Sequence, residues 1–280
     1  MSAATESPPA AAFAGHLRLE ASMDSDGRTF VSRQSFCAPF HMGKGYWDGQ
    51  VLQVRVVNAT AGILSGDRLE LAVRAGPGAS LLVTTPAATR AFMMKAGIAT
   101  SEQCFDVAPG GWLEYAPEPL FPHRASDFTQ NTRLSVAAGG ELYYADALAP
   151  GRVGLGECWA WRRLRIGLDA ESDGVPRLRE RLDCAGEELQ RLAAFHGSAE
   201  AWFGTVVMIS PQLTPQDGLW ERIRALHRPG CRVAPTRLSA GGWIVRIVAD
   251  SSLPLREALD ALRALCAGAL PKLASNLRRV

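Results

Sequence analysis

Four acidic residues stand where a carboxylate is costly: Asp67, Glu141, Asp146 and Glu157 each lie in an apolar or glycine-rich stretch. A buried carboxylate without a partner is strongly disfavoured, so each must meet an arginine, a water-filled space or a passing cation. Arg68, Arg133 and Arg152 are candidate mates, Arg152 above all for Glu157, which closes the run Gly151-Arg152-Val153-Gly154-Leu155-Gly156-Glu157. If Asp67, Glu141 and Glu157 converged on one pocket they could serve a β-fold hydrolase or isomerase as acid and base. If they faced water they could hold a divalent ion loosely, as carboxylate and water ligands do and a thiolate cage does not.

Other catalytic patterns fail on spacing. Gly62-x-x-Ser65-Gly66 is not the strand-turn-helix nucleophile elbow, and Gly43-Lys44-Gly45 lacks both the preceding glycine and the hydroxyl residue of a phosphate-binding loop. Gly151, Gly154 and Gly156 depart from the dinucleotide fingerprint and read as a tight passage between strands. The histidines His16, His41, His123, His196 and His227 are scattered, with no i, i+4 pair to offer two imidazoles on one helical face. Cys37 and His41 are the nearest soft pair, and packing or surface roles suit them better than a metal. The six cysteines Cys37, Cys104, Cys158, Cys184, Cys231 and Cys266 contain no C-x-x-C and read as reduced thiols.

Arginine is patterned too. Arg162, Arg163 and Arg165, then Arg177, Arg179 and Arg181, fall largely at two-residue steps against Leu164, Ile166, Leu168, Leu178 and Leu182, so two strands each present an arginine face. Such a face is either simply solvated or meets a protein partner with acidic residues, arginine being enriched at interfaces. RNA fits poorly, because no aromatics interleave as a stacking platform requires.

The elements that must position these groups are mostly strands. From Leu17 to Leu182 short alternating or β-branched runs recur with Gly/Pro punctuation, among them Val51 to Val57, Leu69 to Arg74, Ser80 to Thr85, Trp112 to Tyr115 and Glu141 to Tyr144. Leu69, Leu71 and Val73 face one way and Glu70 and Arg74 the other. Two polar junctions interrupt them, Gly62-Ile63-Leu64-Ser65-Gly66-Asp67-Arg68 and Thr84-Thr85-Pro86-Ala87-Ala88-Thr89-Arg90. The glycines free the backbone for φ > 0 or close approach, and Pro86 forces Thr85 out of the α region. Periodicity alone leaves a sandwich, a barrel and a stacked helix of sheets open. After Leu182 the spacing predicts a helix over Glu187 to Phe195, a buried strand over Trp202 to Ser210, an amphipathic helix over Pro215 to His227 and a strand over Trp243 to Ala249. The clearest helix runs from about Pro254 to Ala269, with Leu255, Leu259, Leu262, Cys266 and Ala269 on one face, and the tail after Pro271 is expected to reach outward. No internal repeat and no linker stands out, so residues 15–280 read as one composite domain behind a flexible tail, 1–14.

Composition agrees with an ordinary globular chain: 280 residues, 47% hydrophobic, 21% charged and a net charge of +2. That charge is too slight to argue for nucleic acid. No signal peptide and no apolar run approaching about 18 residues is present, which points to the cytoplasm and away from the membrane.

The junctions, together with Gly66-Asp67-Arg68-Leu69, Leu82-Val83-Thr84-Thr85-Pro86-Ala87-Ala88-Thr89, Pro117-Glu118-Pro119, Gln130-Asn131-Thr132, Gly151-Arg152-Val153-Gly154-Leu155-Gly156-Glu157 and, more loosely, Gly242-Trp243-Ile244-Val245-Arg246, resemble the urease accessory family UreD, also called UreH. Leu64-Ser65 replaces a commonly glycine-rich step, and His123 a commonly apolar position. The resemblance implies a mainly β fold, a β-helical core with a few added α-helices, including an amphipathic C-terminal helix. It further implies a non-catalytic scaffold that binds apo-urease and recruits UreF and the GTPase UreG, so that nickel is delivered once an active-site lysine is carbamylated. Nickel would be in transit through an internal tunnel, with no permanent metal or cofactor, and Asp67, Glu141, Asp146 and Glu157 would line its passage. A plain β-rich interaction module is the third reading beside the scaffold and the hydrolase.

Overall fold

The computed structural model describes residues 12–195, 197–213, 218–238 and 241–276. Strands β1 (Ala14–Met23), β2 (Thr29–Phe36), β3 (Phe40–Met42), β4 (Tyr46–Asp48) and β5 (Val51–Asn58) open the chain. It then shuttles through β6 (Arg68–Ala75), β7 (Ser80–Thr84), β8 (Thr89–Ala91), β9 (Ala99–Val107), β10 (Trp112–Ala116), β11 (Leu120–Pro122), β12 (Asp127–Val136), β13 (Glu141–Leu148), β14 (Gly151–Arg152), β15 (Glu157–Cys158) and β16 (Arg163–Ser172). The remainder is β17 (Val175–Cys184), α1 (Gly186–Phe195), β18 (Trp202–Ile209), α2 (Leu219–Arg224), β19 (Cys231–Leu238), β20 (Gly242–Ala249) and α3 (Ser252–Cys266). The fold is mainly β and solenoid-like, as expected.

Successive strands alternate between two sheets. β6, β9, β12 and β16 run parallel in a seven-stranded sheet ordered β17-β16-β12-β9-β6-β1-β2. β5, β7, β10 and β13 run parallel in the facing sheet, whose main path is β19-β20-β18-β13-β10-β7-β5-β3. Positions 80, 112 and 141 are in register, so one coil takes 29 to 32 residues. A repeat is therefore present where none was read from the sequence. Its signature is the turn: Gly76-Pro77-Gly78-Ala79, Ala108-Pro109-Gly110-Gly111 and Ala137-Ala138-Gly139-Gly140 stack on one another, with φ of +69°, +69° and +73° at Gly78, Gly110 and Gly139. Glycine is the residue that takes this conformation without steric cost.

The two polar junctions form the third side of the coil. Gly62 lies so close to the next coil that a Cβ there would sit 2.4 Å from the Arg90 carbonyl oxygen, and Ile63 N–H donates to that oxygen at 2.7 Å. β8 pairs parallel with β11 above it. Thr84 Oγ1 donates to Ala116 O at 2.6 Å, and Thr85 Oγ1 accepts from Glu118 N–H at 2.8 Å, locking the Thr-Thr-Pro run to Pro117-Glu118-Pro119 of the neighbouring coil.

Leu71, Val73, Phe105 and Leu134 from one sheet meet Val54, Val83, Leu113 and Leu142 from the other in the interior core. The outer face of the second sheet is covered by α2 and α3, with Leu255, Ala258, Leu262 and Cys266 buried against Met208 and Trp243. β16 to β17 and β13 to β18 to β20 to β19 reverse to antiparallel pairing at one end, and β1 to β2 and β5 to β3 do so at the other. The amphipathic segment near Pro215 is shorter than its pattern suggested, α2 covering Leu219–Arg224, while residues 214–217 lie outside the described set.

The expected outward tail is corrected as far as Asn276. Leu273 is buried in the core beneath α3, and Asn276 N–H donates to Asp48 Oδ2 at 2.7 Å. Leu273 supplies apolar area that the helix leaves uncovered, and this draws the chain back. At the N-terminus, residues 1–11 of the expected tail lie outside the described set, and Phe13 N–H is already held by Asp67. Among the described residues no helix is long and apolar enough to cross a membrane.

Candidate functional site

β9 and β12 alternate in and out, and at their inward positions near the third side the apolar series gives way to Ser101, Gln103, Gln130 and Thr132. Gln103 Nε2 donates to Gln130 Oε1 and Thr132 Oγ1 to Gln103 Oε1, both at 3.3 Å. Thr132 faces the hydroxyl of Tyr144 across the sheets, and that hydroxyl donates to Asp146 Oδ2 at 3.2 Å. A line of polar side chains thus runs between coils inside the solenoid. At one end lies a cavity of about 190 Å³ touched by Thr60, Arg90, Ser101 and Gln130. At the other lies one of about 530 Å³ touched by Thr132, Tyr144, Asp146, Thr205, Glu180 and Arg246.

Asp146 is the acidic member of the line. Its Oδ1 accepts Ala147 N–H at 2.8 Å. Burial pushes its carboxyl up from 3.8 to about 6, against the opposing pull of the Ala147 N–H, the Tyr144 hydroxyl and the Arg246 guanidinium. Among the described residues it makes no ion pair. Tyr144 and Tyr115, stacked at 5.7 Å, are both raised by burial and stay neutral.

The other three carboxylates lie elsewhere and are engaged. Asp67, 2% exposed, accepts Phe13 N–H at 2.9 Å and Leu64 N–H at 2.8 Å, and so closes the first junction against the start of β1. Glu141 points to the outer face of the second sheet, where it accepts the Ser210 hydroxyl at 2.6 Å. Glu157 accepts Arg152 Nε at 2.9 Å and Nη2 at 2.6 Å, with Arg124 at 3.6 Å, and the Arg152 hydrogen bond holds it below its usual range. Asp67, Glu141 and Glu157 do not converge, so the geometry needed by a hydrolase or isomerase reading is missing.

The arginine strands and the neighbouring β12 set acids among the arginines. Arg163 meets Asp183 at 2.5 Å, Arg162 and Arg165 hold the two oxygens of Asp127 at 3.0 and 2.8 Å, and Arg179 and Arg181 share Asp169 at 3.4 and 2.7 Å. Arg177 Nη2 donates to Ser172 O at 3.5 Å. The result is a mixed-charge ladder rather than a bare cationic face. Cys37 faces His16 Nδ1 at 3.1 Å, while His41 packs edge-on against Phe36. Among the described residues no group of three or more His, Cys, Asp or Glu could hold a metal. His196 lies outside the described set.

Ser101, Gln103, Gln130, Thr132, Glu180 and Arg246 escaped the sequence reading as interior groups. Their signal was parity: in Ala99-x-Ser101-x-Gln103-x-Phe105-x-Val107 and Phe128-x-Gln130-x-Thr132-x-Leu134-x-Val136 the polar residues share a face with the core residues.

A family profile described as "UreD urease accessory protein" matches residues 14–280. The urease accessory protein UreD of Opitutus terrae is 45% identical over 272 residues, covering 96% of this chain and 99% of that protein. UreD of Acetivibrio thermocellus is 29% identical over 245 residues, 85% of this chain and 92% of the relative. UreD of Alkalilimnicola ehrlichii is 28% identical over 261 residues, 92% and 87%.

Proposed function

The chain belongs to the UreD family of urease accessory proteins, and from that premise we propose that it is a non-catalytic cytoplasmic scaffold in urease maturation. It binds apo-urease, recruits UreF and the GTPase UreG, and passes nickel through its interior toward the urease active site. GTP hydrolysis belongs to the partner. Nickel is the cargo, held in transit by oxygen ligands and water.

The observation that carries the reading is the internal polar line that ends at Asp146. Gln103, Gln130 and Thr132 occupy positions where Leu or Val would pack a parallel coil better, and Asp146 is ionised at neutral pH at a cost in stability. Polar groups placed against the interest of the core suit a passage, because a conduit needs sites that admit an ion and also let it leave. Asp146 is the carboxylate at the centre of this proposal. Glu157 and Asp67 join it only if their present partners, Arg152 and two backbone N–H groups, give way, and Glu141, on the outer face of the second sheet with Ser210, stands apart from the interior line. The ladder on β16 and β17, with Arg162, Arg163, Arg165, Arg177, Arg179 and Arg181, is the surface we assign to a protein partner.

The test is co-expression of urease and its other accessory proteins with and without this chain, followed by the nickel content of purified urease. Nickel occupancy should fall strongly when the chain is omitted. Equal occupancy in both preparations would end the proposal.

A further inference from the structure

The 530 Å³ cavity is lined by two carboxylates, Asp146 and Glu180, and by two arginines, Arg181 and Arg246. Arg181 is committed away from the cavity, donating to Asp169 at 2.7 Å and to the Glu180 carbonyl at 2.6 Å. Arg246 is the cation that remains. Asp146, Thr205 and Arg246 lie side by side on β13, β18 and β20, so the guanidinium starts from a position one strand beyond Thr205 and two from Asp146. It donates to Thr205 Oγ1 and is ion-paired with Glu180, which stands on β17 of the opposite sheet. Glu180 faces inward through its register with Leu168, whose side chain belongs to the interior core. The Arg246–Glu180 pair therefore spans the gap between the two sheets at the end of the solenoid.

We propose that Glu180 is a positioning residue: by holding Arg246 across the gap it keeps the guanidinium off Asp146 and leaves that carboxylate free to meet a divalent cation. This rests on the nickel-passage reading for its purpose, though not for its geometry. The charge count explains why the arrangement matters. With Glu180 in place the cavity has one spare carboxylate; without it, the Arg246 guanidinium finds its nearest remaining carboxylate in Asp146, and an Arg–Asp pair has no reason to admit a second cation. The groups facing Asp146 are Ala147 N–H and Tyr144 on its own strand, Tyr115 from the neighbouring coil, and Arg246, while Thr132 meets the Tyr144 hydroxyl.

The experiment compares parent, Glu180→Gln, Arg246→Gln and the double variant. The titration of Asp146 is followed by carboxyl carbon NMR, and in parallel the nickel content of urease co-expressed with each is measured. In Glu180→Gln the Asp146 titration should move down by about 1–3 pH units as Arg246 turns to it, and nickel occupancy should fall. The double variant should restore the occupancy, since no guanidinium is left to occupy Asp146. An unmoved Asp146 titration in folded Glu180→Gln overturns the proposal. A moved titration with unchanged nickel content sustains the positioning role of Glu180 and overturns the conduit reading instead.

Discussion

Asp146→Asn removes a charge and keeps the shape. The parent carboxyl titrates near 3.8 in an unfolded chain and at about 6 in the fold. Since the folded value is raised, the native state holds the proton more tightly; its contribution to stability is full below pH 3.8 and is lost as pH rises through about 6. A difference of that size corresponds to about 3 kcal/mol at neutral pH, a ceiling because water in the cavity screens the charge. Asparagine can still accept the Ala147 N–H and meet the Tyr144 hydroxyl without this loss. At roughly 2–4 °C per kcal/mol for a chain somewhat smaller than this one, the variant should melt several degrees above the parent at pH 7.5 and level with it near pH 4. Thermal melts by circular dichroism across that range measure the difference, in which groups common to both proteins cancel. A melting-temperature difference that does not change with pH would refute the assignment of a raised, cavity-facing carboxyl. In the co-expression assay the same variant, more stable than its parent at neutral pH, should lower the nickel content of urease.

Four other outcomes are expected. Leu262→Asp places a charge in the contact beneath α3, where Leu262 is fully buried, and should cost several kcal/mol in chemical denaturation; an unchanged midpoint would mean α3 is not docked through this face. Arg263→Leu strands Glu114, which is 0% exposed and bound by Arg263 at 2.6 and 2.9 Å, and should destabilise the protein by about 3–5 kcal/mol, with partial recovery in a Glu114→Leu double variant. Glu157→Gln removes a carboxylate held below its usual 4.5 by Arg152; that stabilisation is present above pH 4.5 and lost as pH falls through the lower folded value, so the variant should melt below the parent at pH 7 and converge with it in acid. Charge reversal at Arg177, Arg179 and Arg181 together should leave the melting temperature within a few degrees, exposed ion pairs being worth about 0–1 kcal/mol each, and abolish pull-down of urease or UreF; retained binding would leave the ladder a solvated surface.

Much of the architecture could be read from alternation. The runs around Val51, Leu69, Ser80, Trp112 and Glu141 are strands β5, β6, β7, β10 and β13, and the stripe from Leu255 to Cys266 is the buried side of α3. The coil repeat was hidden because identity recurs only in the turns, at Gly78, Gly110 and Gly139, while the strands between them share parity and not residues. The β-helical arrangement came from family resemblance, since the same alternation would suit a sandwich. The Glu157–Arg152 pair was legible from sequence proximity. Asp67 was expected beside an arginine and instead takes backbone N–H groups, a use of a carboxylate that spacing does not reveal. Glu180 and Arg246 are 66 positions apart and meet only because their sheets end together, so no local pattern could join them. The acids that meet the arginines are set by pairing and not by spacing: Asp169 and Asp183 face them across the β16–β17 hairpin, and Asp127 comes from β12, the parallel neighbour of β16.

The stacked coils also turn the length of the protein into a counted quantity. Neighbouring strands stand about 4.8 Å apart, and the polar line advances by one such step each time the chain goes round, from Ser101 and Gln103 on β9 to Gln130 and Thr132 on β12. Distance along the interior is therefore set in whole coils of 29 to 32 residues. Duplicating or deleting one coil would lengthen or shorten the route by a fixed increment while each remaining coil kept its two neighbours. The antiparallel strands β2, β3, β17 and β19 make this arithmetic safe. A strand that runs the wrong way cannot template another parallel coil, so the stack has two definite ends and does not propagate from molecule to molecule as a fibre would.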